Sequence, residues 1–193
     1  MTDRAEPIGT FPDRHTLRLE IRYPHPPSLV WRAITEPEAL GTWFMPMDIE
    51  PHVGGAVSLA HTGTPGGDRA HGVVTAFEID AVLEYRFPDA GREQWPECVM
   101  RFQLAADDGG CTLVFTQTLA PHALIREAWA DLQIGGPGTL APGTCAGWEG
   151  FFREGLDRYL DGRPAPIYDG TDDELMATRT HGYETLVLRS QRD

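Results

Sequence analysis

Two histidines, His61 and His71, flank the turn-forming run TGTPGGD, where a hairpin would bring them face to face. Two ligands fall short of the three or four that a zinc-type site takes, so the pair defines no metal centre. His122, Glu97 and Glu127 are of types that move protons, but nothing in their spacing fixes a mutual geometry, and proton transfer requires one. No HExxH, GxSxG, CxxC or GxGxxG pattern occurs. There is no lysine among the 16 basic residues, which removes Schiff-base and P-loop chemistry, and no asparagine to accept a glycan. No catalytic residue, metal ligand or cofactor follows from these residues. One polar side chain stands out instead. Counting in twos from Leu113 and Phe115 puts Gln117 on the apolar side of its strand, where an unpaired amide costs about 1–3 kcal/mol. Either a neighbour satisfies it or it points into a wet cavity.

The elements that would position Gln117 are a sheet and one long helix. Thr144 to Gly162 reads as an amphipathic helix, with Cys145, Trp148, Phe152, Leu156 and Tyr159 on one stripe flanked by Phe151 and Leu160. Arg153, Glu154, Asp157, Arg158 and Asp161 point away. Thr144 is the predicted N-cap, Glu149 lies near the positive end of the dipole, and Gly162 with Pro164 ends the helix. Gly155 sits inside the stripe, where glycine costs roughly 1 kcal/mol relative to alanine, so a strand or a ligand is expected to come close there.

Upstream, Leu17, Leu19, Ile21 and Tyr23 alternate as a half-buried strand, and short helices are predicted from Pro26 to Thr35 and from Pro37 to Trp43. Strands then follow over residues 48–51, 55–61, 71–79, 82–87, 96–105 and 111–119. Their predicted inward residues are Phe77 and Ile79; Leu83, Tyr85 and Phe87; Cys98, Met100, Phe102 and Leu104; Leu113 and Phe115. Consecutive strands without intervening helices are antiparallel. Arg86 and Arg101 fall on the outer face. Residues 121–133 read as a further short helix, a lid or a plain connector. Residues 1–12 read as a tail, 13–162 as the domain, and 163–193 as a helical extension carrying Leu175, Met176, Tyr183, Leu186 and Leu188, with Thr171 and Glu174 as a capping box.

A net charge of −13 argues against a partner with a phosphate backbone, so no nucleic acid is expected. No segment approaches the ~20 apolar residues of a membrane span, and the first fifteen residues lack the apolar core of a signal peptide. Cys98, Cys111 and Cys145 read as buried thiols in a reducing compartment, which makes a cytoplasmic protein the expectation.

VWRAITEPEALGTWF, DIEPHVGG, GVVTAFEID with VLEYRF, TLVFTQT and AGWEGFFREGLDRYL follow one another in an order that resembles the heat-shock protein 90 ATPase activator homologues. That is a branch of the START-like, birch-pollen-allergen-like (SRPBCC) superfamily. The resemblance implies an α+β helix-grip fold, in which a curved antiparallel sheet wraps a long C-terminal helix and two short helices follow the first strand. It implies a cavity between helix and sheet that takes a small hydrophobic ligand. The candidate lining is Trp43, Phe44, Phe77, Tyr85, Met100, Phe102, Phe115, Gln117, Trp148, Phe152 and Leu156. The alternatives it carries are a chaperone ATPase activator-like protein-interaction module, self-association, and a polyketide cyclase/dehydratase-like or hydrolase-like enzyme. Relatives often have histidine three residues before the Gly-Trp of the helix; Thr144 stands there, so no role of that histidine transfers.

Overall fold

The computed structural model describes residues 6–60, 69–88, 97–121, 140–165 and 173–190. Among them, eight strands form one antiparallel sheet: β1 (Thr10–Asp13), β2 (Thr16–Tyr23), β3 (Met47–Ile49), β4 (Ala56–Ala60), β5 (Arg69–Glu78), β6 (Val82–Phe87), β7 (Cys98–Asp107) and β8 (Gly110–Leu119). Their spatial order is β1-β2-β8-β7-β6-β5-β4-β3. Period-two alternation decides which side chains enter the core. Leu17, Leu19 and Tyr23 of β2, Leu83, Tyr85 and Phe87 of β6, Cys98, Met100, Phe102 and Leu104 of β7, and Leu113, Phe115 and Gln117 of β8 are all buried on the concave side. The opposite face carries ion pairs, Arg101 with Glu84 and Arg86 with Glu97 among them.

Ile79 departs from the expected pattern. A register shift between Val74 and Ala76 lets Val74 and then Phe77 turn inward, and the strand stops at Glu78. Ile79 therefore falls in the β5–β6 turn beside Asp80, whose φ is 60°, and is 69% exposed.

Two short helices, α1 (Pro27–Thr35) and α2 (Pro37–Trp43), follow β2. Each has proline in its first turn, where the missing N–H costs nothing. The long helix starts two residues earlier than Thr144. Its first segment, α3, is Pro142–Gly150 with Ala141 as N-cap, because Pro142 fits the first turn while Leu140 and Ala141 are drawn into the core. Thr144 is an exposed residue of that turn. The helix runs on through a π-helical turn, Phe151–Leu156, into α4, Asp157–Leu160. It closes on Gly162 at φ 64°, with Gly162 N–H bonded to the Tyr159 carbonyl and Arg163 N–H to the Arg158 carbonyl, the paired bonds of a Schellman motif.

Residues 6–13 and 173–190 meet on the outer side of this helix. The terminal helix α5 (Asp173–Ser190) buries Arg179, Tyr183 and Val187, while Leu188 stays exposed. Arg179 makes a two-pronged pair with Glu154, 2.8 Å for each N–O contact, and its Nε lies 3.4 Å from Glu149. Glu149, with no exposed side-chain surface, also accepts from Tyr183 Oη at 2.7 Å, Arg153 at 2.6 Å and the Ile8 N–H at 3.0 Å. Arg153 and Glu154 do face away from the sheet, but into this buried network and not into open water. Residues 6–13 differ from the expected tail: Thr10–Asp13 pair with β2, and Gly9 N–H donates to Tyr183 Oη at 3.1 Å. Gly182 makes this docking possible, since a Cβ there would stand 2.5 Å from Pro7 Cγ.

Candidate ligand-binding site

The concave face of the sheet and the inward stripe of the long helix enclose an aromatic interior. Strand register arranges the sheet side in transverse rows. Tyr85, Met100, Gln117 and Leu17 form one row across β6, β7, β8 and β2, and Leu83, Phe102, Phe115 and Leu19 form the next. From the helix side, Trp148 stands 4.5 Å from Phe115 between ring centroids, and Phe152 stands 5.0 Å from Phe115 and 6.3 Å from Phe102. The end of α2 closes a third side. Phe44 stacks on Trp148 at 5.3 Å, and Trp43 lies 6.0 Å from Phe152 with its indole N–H donated to the Ala33 carbonyl. Tyr85 joins through Phe102 at 5.8 Å. Offset and edge-on pairs at these separations each add about 0.5–1.5 kcal/mol beyond burial.

Gln117 finds its partner inside: Trp148 Nε1 donates to Oε1 at 2.8 Å. The Cys98 thiol shares a second hydrogen bond with the same amide, and burial pushes that thiol up to about 12. Burial also raises the Tyr85 phenol, with the neighbouring Cys98 adding to the effect. The Tyr85 hydroxyl is inside a side chain only 2% exposed, and among the described residues it has no hydrogen-bond partner. Cys145 and Tyr23 are likewise raised, chiefly by burial. The titratable groups of this interior thus remain protonated and neutral through the physiological range.

Of the expected lining residues, Trp43, Phe44, Tyr85, Met100, Phe102, Phe115, Gln117, Trp148, Phe152 and Leu156 come together in the buried cluster. Phe77 stands apart. It is half-buried on β5 with its ring edge-on to Trp31 at 5.3 Å. His71 lies on the exposed side of β5, and Glu97 is paired with Arg86. His61, His122, Glu127, Thr171 and the segment 122–139 lie outside the described residues. Among the described residues no cluster of three His, Cys, Asp or Glu could hold a metal, and no helix is long and apolar enough to cross a membrane. Leu140 and Ala141, in the glycine- and proline-rich stretch before the long helix, also enter the core. Their apolar character was the available signal, masked by the surrounding glycines and prolines.

A sequence profile for the activator of Hsp90 ATPase homolog 1-like protein family matches residues 24–161. The chain belongs to that family. Solved structures agree on the architecture. CalU16 from Micromonospora echinospora superposes with a TM-score of 0.61 over 90% of this chain and 88% of its own, at 18% identity. MLL2253 from Mesorhizobium loti gives 0.59 at 26% identity, over 76% and 97%. DynU16, described as a protein of the dynemicin biosynthetic locus, gives 0.61 at 25% identity, covering 79% of this chain and 50% of its own. No curated protein matches the sequence. The family match ends at residue 161, so α5, with Arg179 and Tyr183, lies beyond the matched segment, while Glu149, Arg153 and Glu154 lie within it.

Proposed function

We propose that the protein binds a small, largely apolar molecule between the long helix and the sheet, with a hydrogen-bond acceptor of that molecule placed at Tyr85. The observation that carries this reading is the buried Tyr85 hydroxyl, which has no hydrogen-bond partner among the described residues, in a wall of aromatic rings. A buried donor without an acceptor costs about 1–3 kcal/mol, a cost that a carbonyl or ether oxygen of a ligand removes. Apolar pockets with a few polar groups are the usual form of small-molecule sites. Met45, Met47 and Met100 supply the adaptability the interior needs to admit a guest, because unbranched thioether chains repack at low cost. The neutral thiols and phenols of the interior favour binding over acid–base turnover, which works best with a group titrating near the operating pH.

Prodan, an uncharged naphthyl ketone whose emission reports polarity and hydrogen bonding, is a suitable probe. Wild-type protein should bind it with a blue-shifted emission. Tyr85→Phe should bind it about fivefold more weakly, the worth of roughly 1 kcal/mol for one net hydrogen bond, while unfolding at the same temperature or higher. Absence of prodan binding by the wild type, or equal affinity in both proteins, would overturn the proposal.

A further inference from the structure

The long helix is not a uniform α-helix, and the irregularity falls where it faces the aromatic interior. Trp148, Phe152, Leu156 and Leu160 are all buried at intervals of four residues. Four α-helical residues advance about 400°, so three such intervals would carry the stripe about 120° around the cylinder. One turn with i→i+5 bonds holds more residues and takes up that drift. Asp157 N–H accordingly reaches the Phe152 carbonyl, five residues back, and shares its proton with the Glu154 carbonyl.

Two contacts from outside the helix press on the backbone of this turn. The buried Tyr23 hydroxyl donates to the same Phe152 carbonyl at 2.9 Å. Across from it, the Trp43 carbonyl lies 2.8 Å from where a Cβ on residue 155 would be, so only glycine fits. The close approach expected at Gly155 is therefore made by the end of α2. Trp43 itself is anchored by its indole bond to Ala33.

We infer that Tyr23 is a positioning residue that sets ligand selectivity. Its hydroxyl holds the Phe152 carbonyl in the wide turn, and the turn decides how Trp148, before it, and Phe152 and Leu156, within it, share one wall. The role rests on the ligand-binding reading above. Without the hydroxyl, the Phe152 carbonyl takes the ordinary i→i+4 bond from Leu156 N–H, and the two halves of the wall rotate relative to each other. Nothing about Tyr23 touches the ligand directly. The effect is on shape, so it falls unequally on guests of different shape.

The test is Tyr23→Phe, which keeps the ring in the core, with Gly155→Ala avoided because its Cβ would meet backbone. Affinities for prodan and for laurdan, the same fluorophore with a long acyl tail, are measured on both proteins, together with thermal unfolding and a crystal structure of the variant. The expected result is a folded variant with residues 151–156 in α geometry and a prodan-to-laurdan affinity ratio changed by about threefold or more, as befits a reshaped cavity. A folded variant with an unchanged ratio, or one that keeps the π turn, overturns the inference. A merely structural role would weaken both dyes equally. If the wild type binds neither dye, the function proposed for the site fails first and the selectivity role falls with it, whereas binding by the wild type with an unchanged ratio in the variant defeats the role of Tyr23 alone.

Discussion

Two faces of the long helix are covered by other elements, and they are covered by opposite means. Inward, Trp148, Phe152 and Leu156 meet rings and aliphatic groups through contacts that depend little on direction. Outward, Glu149, Arg153 and Glu154 meet Arg179, Tyr183 and the backbone of Ile8 through charge-assisted hydrogen bonds of 2.6–3.0 Å. The inner face is adaptable, since apolar side chains repack around a change of shape. The outer face is all-or-none, because each ion was brought out of water on the condition that its partner be present. The site proposed to accept a guest sits on the forgiving side, and the attachment of residues 6–13 and α5 sits on the exacting one.

The largest effect that would break this contrast concerns one substitution on each face. Arg179→Met preserves chain length but leaves Glu149 and Glu154 without their shared cation, and should cost about 3 kcal/mol, near the lower end for a broken buried pair because Arg153 remains. Leu156→Met, a volume-conserving change among apolar neighbours, should cost less than about 1.5 kcal/mol. Urea unfolding of the two variants decides it; equal losses would erase the distinction.

Tyr183→Phe is the finer probe of the outer face. It removes a donor to Glu149 and the acceptor for Gly9 N–H, so a loss of about 1–2 kcal/mol is expected. Hydrogen exchange should show the loss concentrated in residues 6–13 and α5; a loss spread evenly over β6 to β8 would contradict the assignment.

The smallest effect belongs to the inner face and appears in alkali. Folded, Cys98 keeps its proton to about 12, whereas an unfolded thiol releases it near 9. Between those values the unfolded state binds fewer protons, so stability falls as pH rises from about 9 towards 12 and is unaffected by this group below that window. Denaturation midpoints at pH 7, 8.5 and 10 should show the decline, and Cys98→Ala should lessen it. A pH-independent midpoint would speak against a neutral interior.

The same contrast explains what could be read from the residues in order. The inner face was legible because burial against a sheet imposes a period: the stripe at Trp148, Phe152 and Leu156 and the alternation through Met100, Phe102 and Phe115 are repeating patterns. Helix α2 and strand β6 were legible at their bounds for similar reasons, with Pro37 starting one and turn residues enclosing the other. The burial of Arg179 was not, since an arginine beside Thr178 and Thr180 carries no local sign that two glutamates 25 and 30 positions earlier will enclose it. The π turn was equally hidden. Its only trace was Gly155, whose partner proved to be the end of a helix. Ile79 misled because one bulge displaces the alternation on which its placement depended.

The central claim is that the interior behind Trp148 and Gln117 receives a guest. Native mass spectrometry of the protein purified from its own host tests this most directly, comparing wild type with Tyr85→Phe. The expected result is a non-covalently retained small organic molecule on the wild type, released on denaturation, and a reduced bound fraction on the variant. A wild-type spectrum showing only the mass of the bare chain, together with no uptake of prodan in solution, would contradict it.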